Sequence, residues 1–235
     1  MTERKHMIIG GFQKFSLLDY PDKISAIIFT QGCNFRCSYC HNKQLLDENP
    51  SASAINPQEI WDFLNKRWKQ IDAVVITGGE PTIQPDLIEF MQKIKNSGFL
   101  IKLDTNGSNP KVLKEVIELK LADYIAMDIK APFEKYQDIT NSRVDTKKIQ
   151  ESINIIKNSD IKYEFRTTIL KTQLSKDDIL QIKGLANGAR LWFLQKYIPS
   201  ENLSENSSAE LNYSNNEFEN FRKIIKDSVS DCFIR

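Results

Sequence analysis

Short apolar runs recur along this chain, and between them the apolar residues fall at helical spacing. Ile24-Ser25-Ala26-Ile27-Ile28-Phe29 is almost wholly apolar, as a strand covered on both faces should be. The same pattern predicts strands at Ala73–Thr77, Phe99–Asp104, Tyr124–Asp128, Tyr163–Leu170 and Leu191–Gln195. A helix is expected where Asn56 caps and Pro57 opens a segment with Ile60, Phe63, Leu64, Trp68 and Ile71 on one face. Further helices are expected over about 85–97 (stopped by Gly98), 110–120, 145–158, from Ser175 with Ile179, Ile182 and Leu185 inward, and over 217–229 with Phe218, Phe221, Ile224 and Ile225. Six strands alternating with six helices predict an α/β fold with a parallel sheet. Periodicity does not separate an open doubly wound sheet from a barrel.

The alternation has no linker-like break, so residues 1–235 read as one domain. Residues 1–23 form a hairpin-like N-terminal extension with a turn at Tyr20-Pro21-Asp22, and 24–198 form the core. Residues 199–235 hold a polar stretch to 216, read as a surface loop, and a last helix.

Lysine and arginine number 32 against 31 aspartates and glutamates, a net charge of +1. That balance gives no electrostatic reason to expect nucleic acid or an anionic membrane as partner. No apolar run approaches the roughly 20 residues of a membrane span, and Met1-Thr2-Glu3-Arg4-Lys5-His6 lacks the apolar core of a signal peptide. A cytoplasmic location is expected.

Three of the four cysteines crowd together in Cys33-Asn34-Phe35-Arg36-Cys37-Ser38-Tyr39-Cys40-His41-Asn42. This is not a disulfide framework; it suits a metal in a reducing compartment. Three close thiolates leave one metal position open to a non-protein ligand. A zinc site completed by His41 or Cys232 is the plainer alternative, although Cys232 stands far down the chain and reads as a small core residue.

The other polar motifs fall just after predicted strands. In parallel α/β folds this is where working groups gather. Gly78-Gly79-Glu80-Pro81 reads as a turn with a helix-entry carboxylate, and its carbonyls and carboxylate also suit an ammonium group. Asp104-Thr105-Asn106-Gly107 reads as a polar turn. Asp128-Ile129-Lys130 offers an ion pair. Arg166, with Thr168 two residues on, lies on the same strand face as Glu164, so it can pair there or fork a ligand carboxylate. Gln195 closes the sixth strand.

The cysteine spacing, with aromatic Tyr39 before the third cysteine, resembles the radical S-adenosylmethionine superfamily. The longer run from Gly10-Gly11-Phe12-Gln13-Lys14-Phe15-Ser16-Leu17-Leu18-Asp19-Tyr20-Pro21 through Ile24–Gly32 to the cysteines resembles the anaerobic ribonucleoside-triphosphate reductase activating protein family. That family is a branch of the glycyl-radical-enzyme activases. The resemblance covers essentially the whole chain and is strongest over 10–42. One departure is Asp22, where relatives usually have glycine.

The resemblance implies a partial (β/α)6 TIM-like barrel of the radical SAM type. It implies an oxidoreductase that holds a [4Fe-4S] cluster on Cys33, Cys37 and Cys40, cleaves S-adenosylmethionine reductively and installs a glycyl radical on a partner enzyme. Anaerobic ribonucleoside-triphosphate reductase is the expected partner, with flavodoxin or ferredoxin as electron donor. Roles at S-adenosylmethionine carry over to Tyr39 and His41, to Gly78, Gly79 and Glu80 at its amino group, and to Asp104, Asn106, Asp128, Lys130, Arg166, Thr168 and Gln195. A monovalent cation on Asp104, Thr105 and Asp128 is also implied. Three other readings stand beside this one: an activase of a pyruvate formate-lyase-like enzyme, a radical enzyme acting on a small molecule or peptide, and a non-catalytic zinc module.

Overall fold

The computed structural model describes residues 6–47, 54–199 and 210–235. Its core is one eight-stranded sheet in sequence order: β1 (Ile9–Ser16), β2 (Ser25–Thr30), β3 (Ala73–Gly78), β4 (Leu100–Thr105), β5 (Tyr124–Asp128), β6 (Lys162–Ile169), β7 (Leu191–Lys196) and β8 (Asp231–Ile234). β2 to β8 are parallel, and β1 is antiparallel to β2 at one edge. The helices are α1 (Pro57–Lys66), α2 (Leu87–Asn96), α3 (Pro110–Glu118), α4 (Tyr136–Thr140), α5 (Thr146–Lys157), α6 (Lys176–Leu185) and α7 (Asn215–Lys226). This is the expected α/β architecture, consistent with a partial TIM-like barrel.

The six predicted core strands lie within a residue or so of their expected positions. Two elements go beyond the expectation. β8 is only four residues long, and it exists because Asp231–Ile234 pairs in register with Leu191–Leu194. α4 is a five-residue helix ended by Asn141 at φ 45°, too short to leave a periodic signal. The hairpin-like extension holds a single strand, β1, and the other arm of the hairpin is the first core strand, β2, to which β1 pairs antiparallel. The polar stretch expected over 199–216 lies mostly outside the described residues, and its end already belongs to α7, whose capping box is Ser214 with Glu217.

Alternation sorts each strand's side chains onto two faces. Ile28, Ile76, Leu103, Met127, Phe165 and Trp192 face the helices in the main apolar core. Ile27, Val75, Tyr124 and Ala126 form a smaller cluster on the opposite, concave face, joined by Tyr20. Tyr20 comes from the β1–β2 loop and its ring lies 5.9 Å from that of Tyr124. The turn after it holds Asp22 at φ 59°. Glycine takes that conformation freely and aspartate tolerates it, which accounts for the departure at this position.

Candidate active site

The three cysteines sit on the loop that leaves the C-terminal end of β2. All three are free thiols, Cys37 buried and the other two half-buried. The loop is pinned on every side. Gly32 donates its N–H to the Leu45 carbonyl (2.8 Å), Arg36 donates its N–H to the Thr140 carbonyl (2.8 Å), and Cys40 donates its N–H to the Cys37 carbonyl (3.1 Å). Asn34 accepts the Asn106 side-chain amide at 2.9 Å and donates to Ser108 Oγ at 2.8 Å. His41 is exposed: its Nε2 lies 2.6 Å from the Ile198 carbonyl and its ring stacks on Tyr197.

The loop after β3 packs directly beneath. Glu80 donates its N–H to the Gly32 carbonyl at 2.9 Å. A Cβ on Gly79 would stand 2.0 Å from that same carbonyl oxygen. Glycine is therefore required here by the contact of two protein backbones. Glu80 is buried and committed to the fold: Oε1 accepts the Thr82 N–H (3.0 Å), the Thr82 hydroxyl (2.5 Å) and the Thr105 hydroxyl (2.7 Å). Its Oε2 accepts the Asn106 N–H at 2.7 Å and keeps a lone pair for another donor.

The concave floor carries a ladder of alternating charge. Lys102 Nζ lies 2.8 Å from Asp104 Oδ1, and Arg166 Nη1 lies 3.1 Å from Asp104 Oδ2. The same guanidinium gives Nε to Asp128 Oδ1 at 2.8 Å, and Lys130 Nζ stands 3.2 Å from Asp128 Oδ2. Arg166 thus bridges Asp104 and Asp128. Glu164 pairs elsewhere, accepting Tyr124 Oη at 2.9 Å and Arg235 Nη1 at 3.0 Å. Burial alone would raise the carboxyl of Asp104, but Arg166 and Lys102 pull it down to about 2.

The three cysteines, Glu80, Asp104, Asp128, Lys130 and Arg166 face one cavity of about 390 Å³, a size that suits a small-molecule ligand; Lys102 and Glu164 lie behind its lining. Its lining includes every site residue expected from the sequence: Cys33, Cys37, Tyr39, Cys40, His41, Gly78, Gly79, Glu80, Asp104, Thr105, Asn106, Asp128, Lys130, Arg166, Thr168 and Gln195. It also includes Asp19, Phe29, Phe35, Asn42, Leu46 and Thr77, which were not expected. Strand alternation could have found Phe29 and Thr77, since each shares a face with concave residues of its own strand. Asp19 reaches the cavity only because the β1–β2 loop folds across the sheet.

Asp104, Thr105 and Asp128, the set implied for a monovalent cation, do stand together at the ends of β4 and β5. Cations already stand beside both carboxylates: Lys102 and Arg166 at Asp104, Arg166 and Lys130 at Asp128. Thr105 donates its hydroxyl to Glu80, while Asp104 Oδ1, next to Lys102, accepts no hydrogen bond of good geometry.

The donor set fits an iron–sulfur cube. Three free thiols on one loop line one cavity. Among the described residues no three His, Cys, Asp or Glu side chains converge on a single ion, as tetrahedral zinc would require. Burial, with the Glu80 charge adding to it, pushes the Cys33 thiol up to about 12. Burial also raises Cys37 against the pull of Lys130. Metal binding here must therefore release protons. Tyr39 is buried, and its hydroxyl has no partner among the described residues, so it is free for a ligand. Cys232 is buried in β8 and packs in the main core, apart from the cavity.

A family profile described as the radical SAM superfamily matches residues 27–183. A protein of Methanocaldococcus jannaschii named, by inference, as a glycyl-radical enzyme activating enzyme is 34% identical over 97% of this chain and 95% of its own. The pyruvate formate-lyase-activating enzyme of Clostridium pasteurianum is 26% identical over 87% of this chain and 86% of its own. Among solved structures, a radical SAM methyltransferase from Sphaerobacter thermophilus aligns with a TM-score of 0.70, at 15% identity, over 92% of this chain and 67% of that one. That likeness is one of fold. No described helix is long and apolar enough to cross a membrane.

Proposed function

The chain belongs to the radical SAM superfamily, and from that premise we propose that it is a glycyl-radical-enzyme activase. The observation that carries the proposal is the convergence of the three free thiols and the charge ladder on one cavity at the C-terminal strand ends. Support for the activase branch comes from the two relatives named for that activity, which match nearly end to end.

In this reading Cys33, Cys37 and Cys40 hold a [4Fe-4S] cluster, and S-adenosylmethionine lies over the concave floor. Together, when bound, these groups supply one-electron reductive cleavage that generates a hydrogen-abstracting species, chemistry that belongs to the cofactors. The protein binds and orients. Lys130 and Arg166 offer cationic donors to the methionyl carboxylate. Glu80 Oε2 and the Gly78 carbonyl would accept hydrogen bonds from its ammonium. Tyr39, with its unpartnered hydroxyl, and Thr168 and Gln195, which pair in register across β6 and β7, would hold the adenosyl part. Asn106 is held by Glu80 and Asn34, and it fixes the far wall. His41 ties the cluster loop to the segment after β7.

The hydrogen acceptor must be reached from outside. Beside Asp19 at the cavity, Leu17 is 62% and Leu18 91% exposed. An exposed apolar pair on the loop that brings Asp19 to the cavity suits a polypeptide partner. Anaerobic ribonucleoside-triphosphate reductase is the partner we assign, through the N-terminal segment. Reduced flavodoxin or ferredoxin is assigned as donor. The Clostridium relative supports a pyruvate formate-lyase-like partner as the second reading.

The test is isotopic. The reconstituted protein is incubated with S-adenosylmethionine, reductant and a candidate reductase deuterated at glycine Cα. Deuterium in the 5′-deoxyadenosine product is expected. Product formed without deuterium, at the same rate with and without the reductase, would contradict the activase reading.

A further inference from the structure

Lys102 has no task in the mechanism above, yet it is a charged side chain buried on the concave face. It stands in the middle of β4 and is 4% exposed. A buried ammonium is expensive unless paired, and an apolar residue would fit the strand's pattern better. Its partner is Asp104 Oδ1 at 2.8 Å. The other oxygen of Asp104 takes Arg166 Nη1 at 3.1 Å and the Thr77 hydroxyl at 3.3 Å. Beyond Arg166 come Asp128 and Lys130. The ladder holds three cations and two anions. Without Lys102 it would be neutral, and Asp104 Oδ1 would lose the cation beside it.

We propose that the Lys102 ammonium is a built-in replacement for a monovalent metal cation at Asp104. A primary ammonium matches potassium in charge and takes the same oxygen donors. Tethered to β4, it is present at every salt concentration. It stands as the counter-cation beside Asp104 Oδ1, an oxygen that accepts no hydrogen bond of good geometry, and leaves the ladder one positive charge in surplus for the anionic group of whatever the cavity binds. Lys102 is therefore a positioning residue, and the site needs no co-bound metal. The inference concerns the protein before any cofactor is loaded. It stands or falls separately from the S-adenosylmethionine reading.

The experiment is thermal unfolding of the cluster-free full-length protein in potassium, sodium and tetramethylammonium chloride at matched ionic strength. Wild type and Lys102→Arg should unfold at the same midpoint in all three salts. Lys102→Met should unfold lower in tetramethylammonium. Potassium or sodium at about ten times its dissociation constant should restore roughly 3–6 °C. The double variant Lys102→Met/Asp104→Asn should show no such recovery. If Lys102→Met folds only when potassium or sodium is present, that is the same result in stronger form. A metal-specific rise in wild type would overturn the proposal. So would a Lys102→Met protein indifferent to the cation, or one that folds in no salt.

Discussion

Glu80 accepts the backbone N–H of Asn106 at 2.7 Å, joining the loop after β3 to the loop after β4 beneath the cavity. Burial pushes the Glu80 carboxyl up, and the bonds from Thr82, Asn106 and Thr105 oppose that rise. Truncation would leave those buried donors unsatisfied. Glu80→Ala should destabilise the cluster-free protein by about 3 kcal/mol, measured by urea unfolding. A loss under about 1 kcal/mol would show that the carboxylate does not brace the two loops.

Two glycines should respond in opposite directions to the same change. A Cβ on Gly79 meets the Gly32 carbonyl, while one on Gly184, in the last turn of α6, meets nothing within 4 Å. Gly184→Ala should stabilise by about 0.5–1 kcal/mol. Gly79→Ala should lower the unfolding midpoint sharply and disturb the cysteine loop it supports. Equal effects of the two changes would refute the packing argument.

Asp178 closes the capping box of α6 with Ser175 and pairs with Lys135 at 2.7 Å. Burial opposes its ionisation, but the bonds from Lys135 and Ser175 prevail and hold its carboxyl below the usual range. A lowered folded pKa contributes stability that is complete above the unfolded value, near 3.9, and is lost as pH falls through the folded one. Asp178→Asn should cost about 1 kcal/mol at neutral pH. That gap should narrow in acid unfolding curves below about pH 4. A gap that widens in acid would give the shift the wrong sign.

The exposed pair Leu17 and Leu18, on the loop that carries Asp19, should matter for the partner alone. Leu17→Asp with Leu18→Asp should leave folding and partner-free cleavage of S-adenosylmethionine unchanged. It should raise the partner concentration needed for half-maximal activation about tenfold or more, the loss of one or two buried leucines. Unchanged partner dependence would move the docking surface elsewhere.

Much of this fold is legible in the chain because buried parallel strands are dense in Ile, Val and Leu, and their loops carry polar motifs. Ile24–Phe29 and Ala73–Thr77 announce β2 and β3 by composition alone. β8 does not announce itself, since four residues gain their meaning only by pairing with β7. The cavity lining follows from the strand ends, which is why the motif residues meet there. Partnerships across the sheet are a different matter. Glu164 and Arg166 share a face, yet Arg166 pairs with β4 and β5 while Glu164 pairs with β5 and Arg235. Neighbouring strands set those distances, and one strand's alternation holds no record of them. The engagement of Asp104 by Lys102 is a contact of the same kind within one strand, concealed by an apolar context.

The most direct measurement is electron paramagnetic resonance of the anaerobically reconstituted, reduced protein with S-adenosylmethionine and a candidate glycyl-radical enzyme. The account predicts a cluster signal that changes when S-adenosylmethionine is added, then a glycyl-radical doublet on the partner. Both should be lost in Cys33→Ala, Cys37→Ala or Cys40→Ala and kept in Cys232→Ala. A cluster signal that responds to S-adenosylmethionine with no doublet on any glycyl-radical enzyme offered would contradict the activase assignment. A full doublet from any one of the three loop variants would contradict the site itself.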